Sequence, residues 1–136
     1  MMKSILWNIL ICGAFLLLGS SCATLPIEPL RPGEVRLIGI HIPDVEGMIA
    51  NLQYSVDLNF EADGKPEMTR TCFRWSGDGP YCYKVMNVSY GSPGTVRVPL
   101  RIPNKGSYHL EGYVFYIKDG KTLMTNVISS QVTVAR

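Results

Sequence analysis

Histidine is nearly missing from this chain, with two in 136 residues, His41 and His109, far apart in sequence. The carboxylates fall mainly at turns and on wet strand positions, so no acid/base pair can be placed and no enzymatic activity is expected. A Walker-type phosphate loop, a His-Glu-x-x-His motif, a Gly-x-Ser-x-Gly elbow and a Gly-x-Gly-x-x-Gly turn behind a strand are also missing. No cofactor and no metal are implied. Charge of one sign is lacking too: 13 Lys and Arg stand against 11 Asp and Glu, for a net +2, with no acidic or basic tail. Nucleic-acid binding therefore has no electrostatic footprint. No low-complexity tract and no long window of helical periodicity occurs; "DVEGMIANL" would make one turn at most.

Cysteine is scarce as well, and its four positions carry most of the information about address. The N-terminus begins with one basic residue, Lys3, followed by an apolar run from Ile5 to Leu18 and the small residues Gly19, Ser20 and Ser21 ahead of Cys22. That is the layout of an export signal. The run is shorter than the roughly 20 residues a membrane-spanning helix needs, and Asn8 interrupts it. "LLLGSSC" resembles the lipobox of bacterial lipoproteins, in which a leucine and small residues precede a cysteine that becomes the first residue of the mature chain. The resemblance implies a diacylglycerol on the Cys22 thiol and an acyl group on its amine, which together hold a protein on a membrane where one chain would not. Ala23 resembles the sorting pattern of outer-membrane lipoproteins. The alternative is ordinary signal cleavage after Ser21 or Ala23.

The expected organisation is a signal over 1–21, a tether over 22–33 and one domain over 34–136. Pro26, Pro29 and Pro32 keep the tether extended and out of any sheet. Export also bears on "CFRWSGDGPYC". Cys72 and Cys82 are too widely spaced for a Cys-x-x-Cys redox pair, and a zinc site would need both histidines. In an oxidising compartment they are expected to form a disulfide, stabilising the fold by roughly 2 to 3 kcal/mol through closure of a short loop.

Period-two alternation dominates the rest. Leu52, Tyr54, Val56, Leu58 and Phe60 alternate with Asn51, Gln53, Ser55, Asp57, Asn59 and Glu61, as expected for a strand with one wet face. Val96, Val98, Leu100 and Ile102 alternate with Arg97, Pro99 and Arg101, and the proline marks an edge or a bulge. Further strands are expected at 35–42, 68–75, 81–90, 107–118 and 121–135, separated by "ADGKP", "SGDGP", "GSPG", "PNKG" and "KDGK". About seven strands of this kind make an all-β antiparallel sandwich. "NKGSYHL" resembles the tyrosine corner of immunoglobulin-like and fibronectin-type domains. Asn104, Gly106, Tyr108 and Leu110 take the places of its Asp, Gly, Tyr and Cys. The resemblance implies an immunoglobulin-like sandwich in which the Tyr108 hydroxyl bonds to upstream backbone; with Leu110 replacing cysteine, the usual inter-sheet disulfide is absent.

Two surface features are candidates for binding. Arg70 and Arg74 share a face with Cys72, and Lys84 shares one with Cys82, giving a small cationic face around the staple. Phe73, Trp75, Tyr81 and Tyr83 lie on the opposite face, with Trp75 and Tyr81 nearest the hairpin tip. Cations flanked by aromatics hold glycan or anionic groups, although scattered arginines on a wet sheet face are the commoner outcome. In "EGYVFYIKDGK", Tyr113, Phe115 and Ile117 oppose the inward Leu110, Gly112, Val114 and Tyr116. They are expected to be core if Gly112 forms a bulge or if 43–50 covers them, and a partner surface if neither happens. His41 is expected to be a satisfied structural residue and His109 exposed. The resulting expectation is an exported accessory protein, lipid-anchored to the bacterial envelope through Cys22, at the outer membrane facing periplasm or surface. It would bind an envelope protein or, alternatively, an envelope glycan; the remaining alternative, a small secreted enzyme or inhibitor, would need a pocket with convergent polar groups.

Overall fold

The computed structural model describes residues 28–136. The signal, Cys12, Cys22 and the tether as far as residue 27 lie outside the described residues. Strand-forming alternation meets turn chemistry at nine strands: β1 Val35–His41, β2 Tyr54–Ala62, β3 Glu67–Trp75, β4 Asp78–Lys84, β5 Asn87–Ser89, β6 Gly94–Leu100, β7 Gly106–Lys118, β8 Lys121–Met124 and β9 Ile128–Val134. Two hairpins have two-residue loops whose backbone is left-handed at both positions. These are Ser76 and Gly77 (φ 48° and 86°) and Asp119 and Gly120 (φ 50° and 75°). This is the type I′ turn that matches strand twist, and glycine takes its second position without a Cβ penalty.

One sheet runs β1-β2-β6-β5; the other runs β4-β3-β7, with β8 and β9 both on the far side of β7. The named pairings between strands are all antiparallel. This is the arrangement of an immunoglobulin-like sandwich: the first sheet is of the constant type, and the second gains one edge strand, β4. Val56, Leu58 and Phe60 of β2 and Val96, Val98 and Leu100 of β6 face Phe73, Leu110, Val114 and Val132 of the other sheet, all buried. Phe60 lies directly over its partner Gly94, where an added Cβ would sit 2.3 Å from the ring.

The strand count exceeds seven because two expected strands are each divided. The stretch expected at 81–90 leaves the second sheet after Lys84 and joins the first at Asn87. The apolar phase changes between Tyr81, Tyr83, Val85 and Val88, Tyr90, which marks the crossing. The stretch expected at 121–135 breaks at Thr125. Its Oγ1 accepts the Val114 N–H (2.9 Å) in place of a strand carbonyl. Next to it, the Asn126 carboxamide accepts from Leu37 N–H (2.8 Å) and donates to Leu37 O (3.0 Å), tying β1 to the opposite sheet.

Segment 43–50 does not cover the second face of β7. It runs along the end of β9, with a parallel bridge from Met48 to Val134 and bonds from Met48 N–H to Thr133 O and from Thr133 N–H to Val45 O. Gly112 forms no bulge; its missing side chain leaves room for Phe73. Leu52 is exposed rather than inward, because it precedes β2. His41 is exposed at the end of β1 rather than packed. At the other terminus of the domain, Glu28 O accepts from the Arg36 guanidinium (2.8 Å), so the described end of the tether lies against β1.

Candidate functional site

Because side chains alternate across a strand, the pairing register fixes which residues share the outer face of the second sheet. Arg70 faces Lys84 on one side and Phe115 on the other; Cys72 faces Cys82 and Tyr113; Arg74 faces Glu111; and Phe115 faces Met124. Five of the expected surface residues, Arg70, Arg74, Lys84, Tyr113 and Phe115, are therefore gathered around the Cys72–Cys82 disulfide, while Ile117 stands further along β7, opposite Glu67. Tyr113 and Phe115 meet edge to face, with centroids 5.7 Å apart. The Arg70 guanidinium lies 5.0 Å above the Phe115 ring, a contact worth about 0.5 to 1 kcal/mol at an exposed site.

Tyr113 is only 8% exposed even though it points away from the core. Arg74, Glu111, Tyr113, Met124 and Val127 enclose a shallow cup of 220 Å³ over it. Met124 and Val127 are largely exposed at its rim. These two, with Glu111, are members of the face that alternation alone did not single out. The two-residue Asp119–Gly120 turn was the available signal, since it fixes Phe115 opposite Met124.

Trp75 and Tyr81 are on the opposite side of the hairpin. Their rings stack at 4.4 Å and 11°, and Trp75 is 4% exposed, so it packs into the core with Tyr81 as its lid. Hydrogen bonding to Asp78 raises the Tyr81 phenol pKa, with desolvation adding to it. The candidate set thus forms two groups, a cationic and aromatic outer face and a separate hairpin stack.

Charge balance distinguishes this face from the outer face of the first sheet. There, Arg97 Nε donates to Asp57 Oδ1 (2.9 Å) and its Nη2 to Oδ2 (3.3 Å), and Thr95 Oγ1 donates to Asn59 Oδ1 (3.3 Å). The Asp57 bond and charge raise the Arg97 pKa further. Among the described residues the ion pairs are Arg97–Asp57 and Arg36–Glu34; Arg70, Arg74 and Lys84 have none. Elsewhere, the Tyr108 hydroxyl donates to Asn104 O (2.9 Å), with Lys105 O at 3.2 Å, and Leu110 is buried. His109 Nδ1 lies 2.9 Å from Gln131 Nε2 at the surface. No three His, Cys, Asp or Glu side chains converge as a metal site among the described residues.

No protein-family model matches the chain, and a search of the curated proteins finds no match. Among solved structures, it is similar to the CARDB domain of a protein from Pyrococcus furiosus, determined in complex with di-metal ions. The two are 15% identical, the match covers 79% of this chain and 97% of that one, and the TM-score is 0.43.

Proposed function

We propose that this chain is an exported accessory module of the bacterial cell envelope, lipid-anchored through Cys22, that binds a protein partner through the outer face of its second sheet. The observation supporting it is the set of three cations, Arg70, Arg74 and Lys84, exposed without ion pairs around a half-buried aromatic cluster. Unpaired cations beside exposed apolar groups make a surface whose complement is anionic and partly apolar. A two-sheet antiparallel β-sandwich is compatible with binding or structural work. The N-terminal sequence supports the anchor and the compartment.

The test is chemical crosslinking in intact cells, comparing the native chain with a variant carrying Arg70→Glu, Arg74→Glu and Lys84→Glu. One protein partner should crosslink to the native chain and be lost with the variant, while Cys22→Ser moves the chain from the membrane to the soluble fraction. Equal crosslinking by both chains contradicts the assigned face. Retention on purified peptidoglycan without a protein adduct would replace the protein partner by a glycan.

A further inference from the structure

The two sheets have several edges, and they differ in how they are closed. The free side of β1 is occupied at Leu37 by the Asn126 carboxamide, which takes both its N–H and its C=O. The free side of β9 is occupied by segment 45–50 through backbone bonds. β5 and β8 are only 3 and 4 residues long. β4 is different: it has 7 residues, is exposed along nearly its whole length, and pairs only with β3 among the described residues.

Which groups β4 offers follows from its register. Cys72 and Cys82 stand opposite each other with Cα atoms 4.0 Å apart. That is the close spacing of a non-hydrogen-bonded pair, about 4.5 Å, and not the wider spacing of a bonded one, about 5.5 Å. Val85 N–H donates to Thr69 O of β3 at 3.2 Å, which gives the same parity independently. Tyr81, Tyr83 and Val85 therefore turn their backbone groups toward β3. Cys82 and Lys84 turn N–H and C=O outward, and Pro80 adds a carbonyl. Exposed edge groups of this kind template an added strand.

We infer that β4 is a docking edge for an extended segment of an anionic protein partner, which adds to the sheet as a strand through the outward backbone groups of Cys82 and Lys84. This rests on the reading of the outer face as the partner surface and specifies how the partner is held. Alternate side chains of an added strand would point toward Lys84 and Arg70 on the outer face and toward Tyr81 and Tyr83 on the other. The segment that fits alternates acidic and apolar residues. A second copy of this chain fits poorly, because edge-to-edge pairing would place two sets of Arg70, Arg74 and Lys84 on one continuous face. The disulfide serves the same purpose, since it fixes the edge strand to β3 at the rung that presents the outward groups and keeps β4 from peeling away with its ligand.

The experiment uses the full chain in detergent and a synthetic peptide of alternating Glu and Val, followed by residue-resolved amide exchange. The expected result is slowed exchange at Cys82 and Lys84, with Tyr81 and Tyr83 little changed because their amides are already bonded. N-methylation of alternate peptide amides should abolish binding, and Lys in place of Glu should abolish it as well. Lys84→Gln should weaken it about twofold to fivefold. Lys84→Pro also removes an outward N–H that the fold does not use, and should eliminate it. Equal binding by the N-methylated peptide, or changes at Arg70 and Tyr113 without protection of Cys82 and Lys84, overturns edge addition and leaves the outer-face reading standing. No binding of the parent peptide at millimolar concentration also overturns it. Loss of crosslinking specificity in cells would instead remove the outer-face reading itself.

Discussion

The outer faces of the two sheets are built from the same alternation and finish differently. On the first, Asp57 grips Arg97 and Asn59 meets Thr95, so the polar groups at the centre of that face are partnered within it. On the second, Arg70, Arg74 and Lys84 lie around Tyr113 and Phe115 and form no ion pair, even though Arg74 stands across from Glu111. A face that satisfies itself gains little from a partner, whereas one with unpaired cations over apolar rings gains charge compensation and apolar burial together. Exposure does not separate the two faces. What separates them is where the charges are spent.

Substitutions can sharpen or break that contrast. The largest effect is expected inside the first sheet, where Gly94→Ala drives a Cβ into the Phe60 ring. It should cost about 3 kcal/mol, the upper part of the overpacking range, read from the urea midpoint. Asn126→Ala leaves both Leu37 backbone groups unpaired at a part-buried edge. It should cost about 1 to 2 kcal/mol and speed amide exchange at Leu37. Asp57→Ala should cost at most about 1 kcal/mol because its ion pair is exposed. The contrast then requires that Arg74→Ala and Lys84→Ala leave the unfolding midpoint unchanged while lowering partner crosslinking. A stability loss from either as large as that from Asp57→Ala would show that those cations serve the fold instead.

The smallest effect is alkaline. Burial first, and the Glu67 carboxylate second, raise the Tyr90 pKa, and its hydroxyl donates to Pro66 O. The fold favours the neutral phenol, so this contribution is complete below the ordinary phenol value of about 10 and is lost as pH rises through the higher folded value. Thermal melts above pH ~10 should fall more steeply for the native chain than for Tyr90→Phe.

Much of the fold was legible from sequence because period-two burial is a local property. Tyr54 to Phe60 and Val96 to Ile102 face the core as alternation requires, and the Cys72–Cys82 staple joins neighbouring strands. Division of the strands was less legible, since it depends on Thr125 and Asn126 replacing ladder bonds over a distance of up to 89 residues. The outer face was half legible. Arg70, Arg74 and Lys84 follow from spacing, and Met124 follows from the Asp119–Gly120 turn once it is recognised. Alternation also places Trp75 and Tyr81 on the opposite face, where they stack; what it did not show is that Trp75 is buried in the core and offers no binding surface at the hairpin tip. Whether 43–50 would cover Tyr113 lay beyond local pattern, because its partner β9 begins almost eighty residues later in the chain.

The most direct measurement places a photo-crosslinking amino acid at position 124 on the second sheet, which leaves all three cations in place, and separately at position 59 on the first, in living cells. The account predicts a discrete protein adduct from position 124 and none from position 59. Adducts of equal yield from both positions, or from position 59 alone, would contradict it.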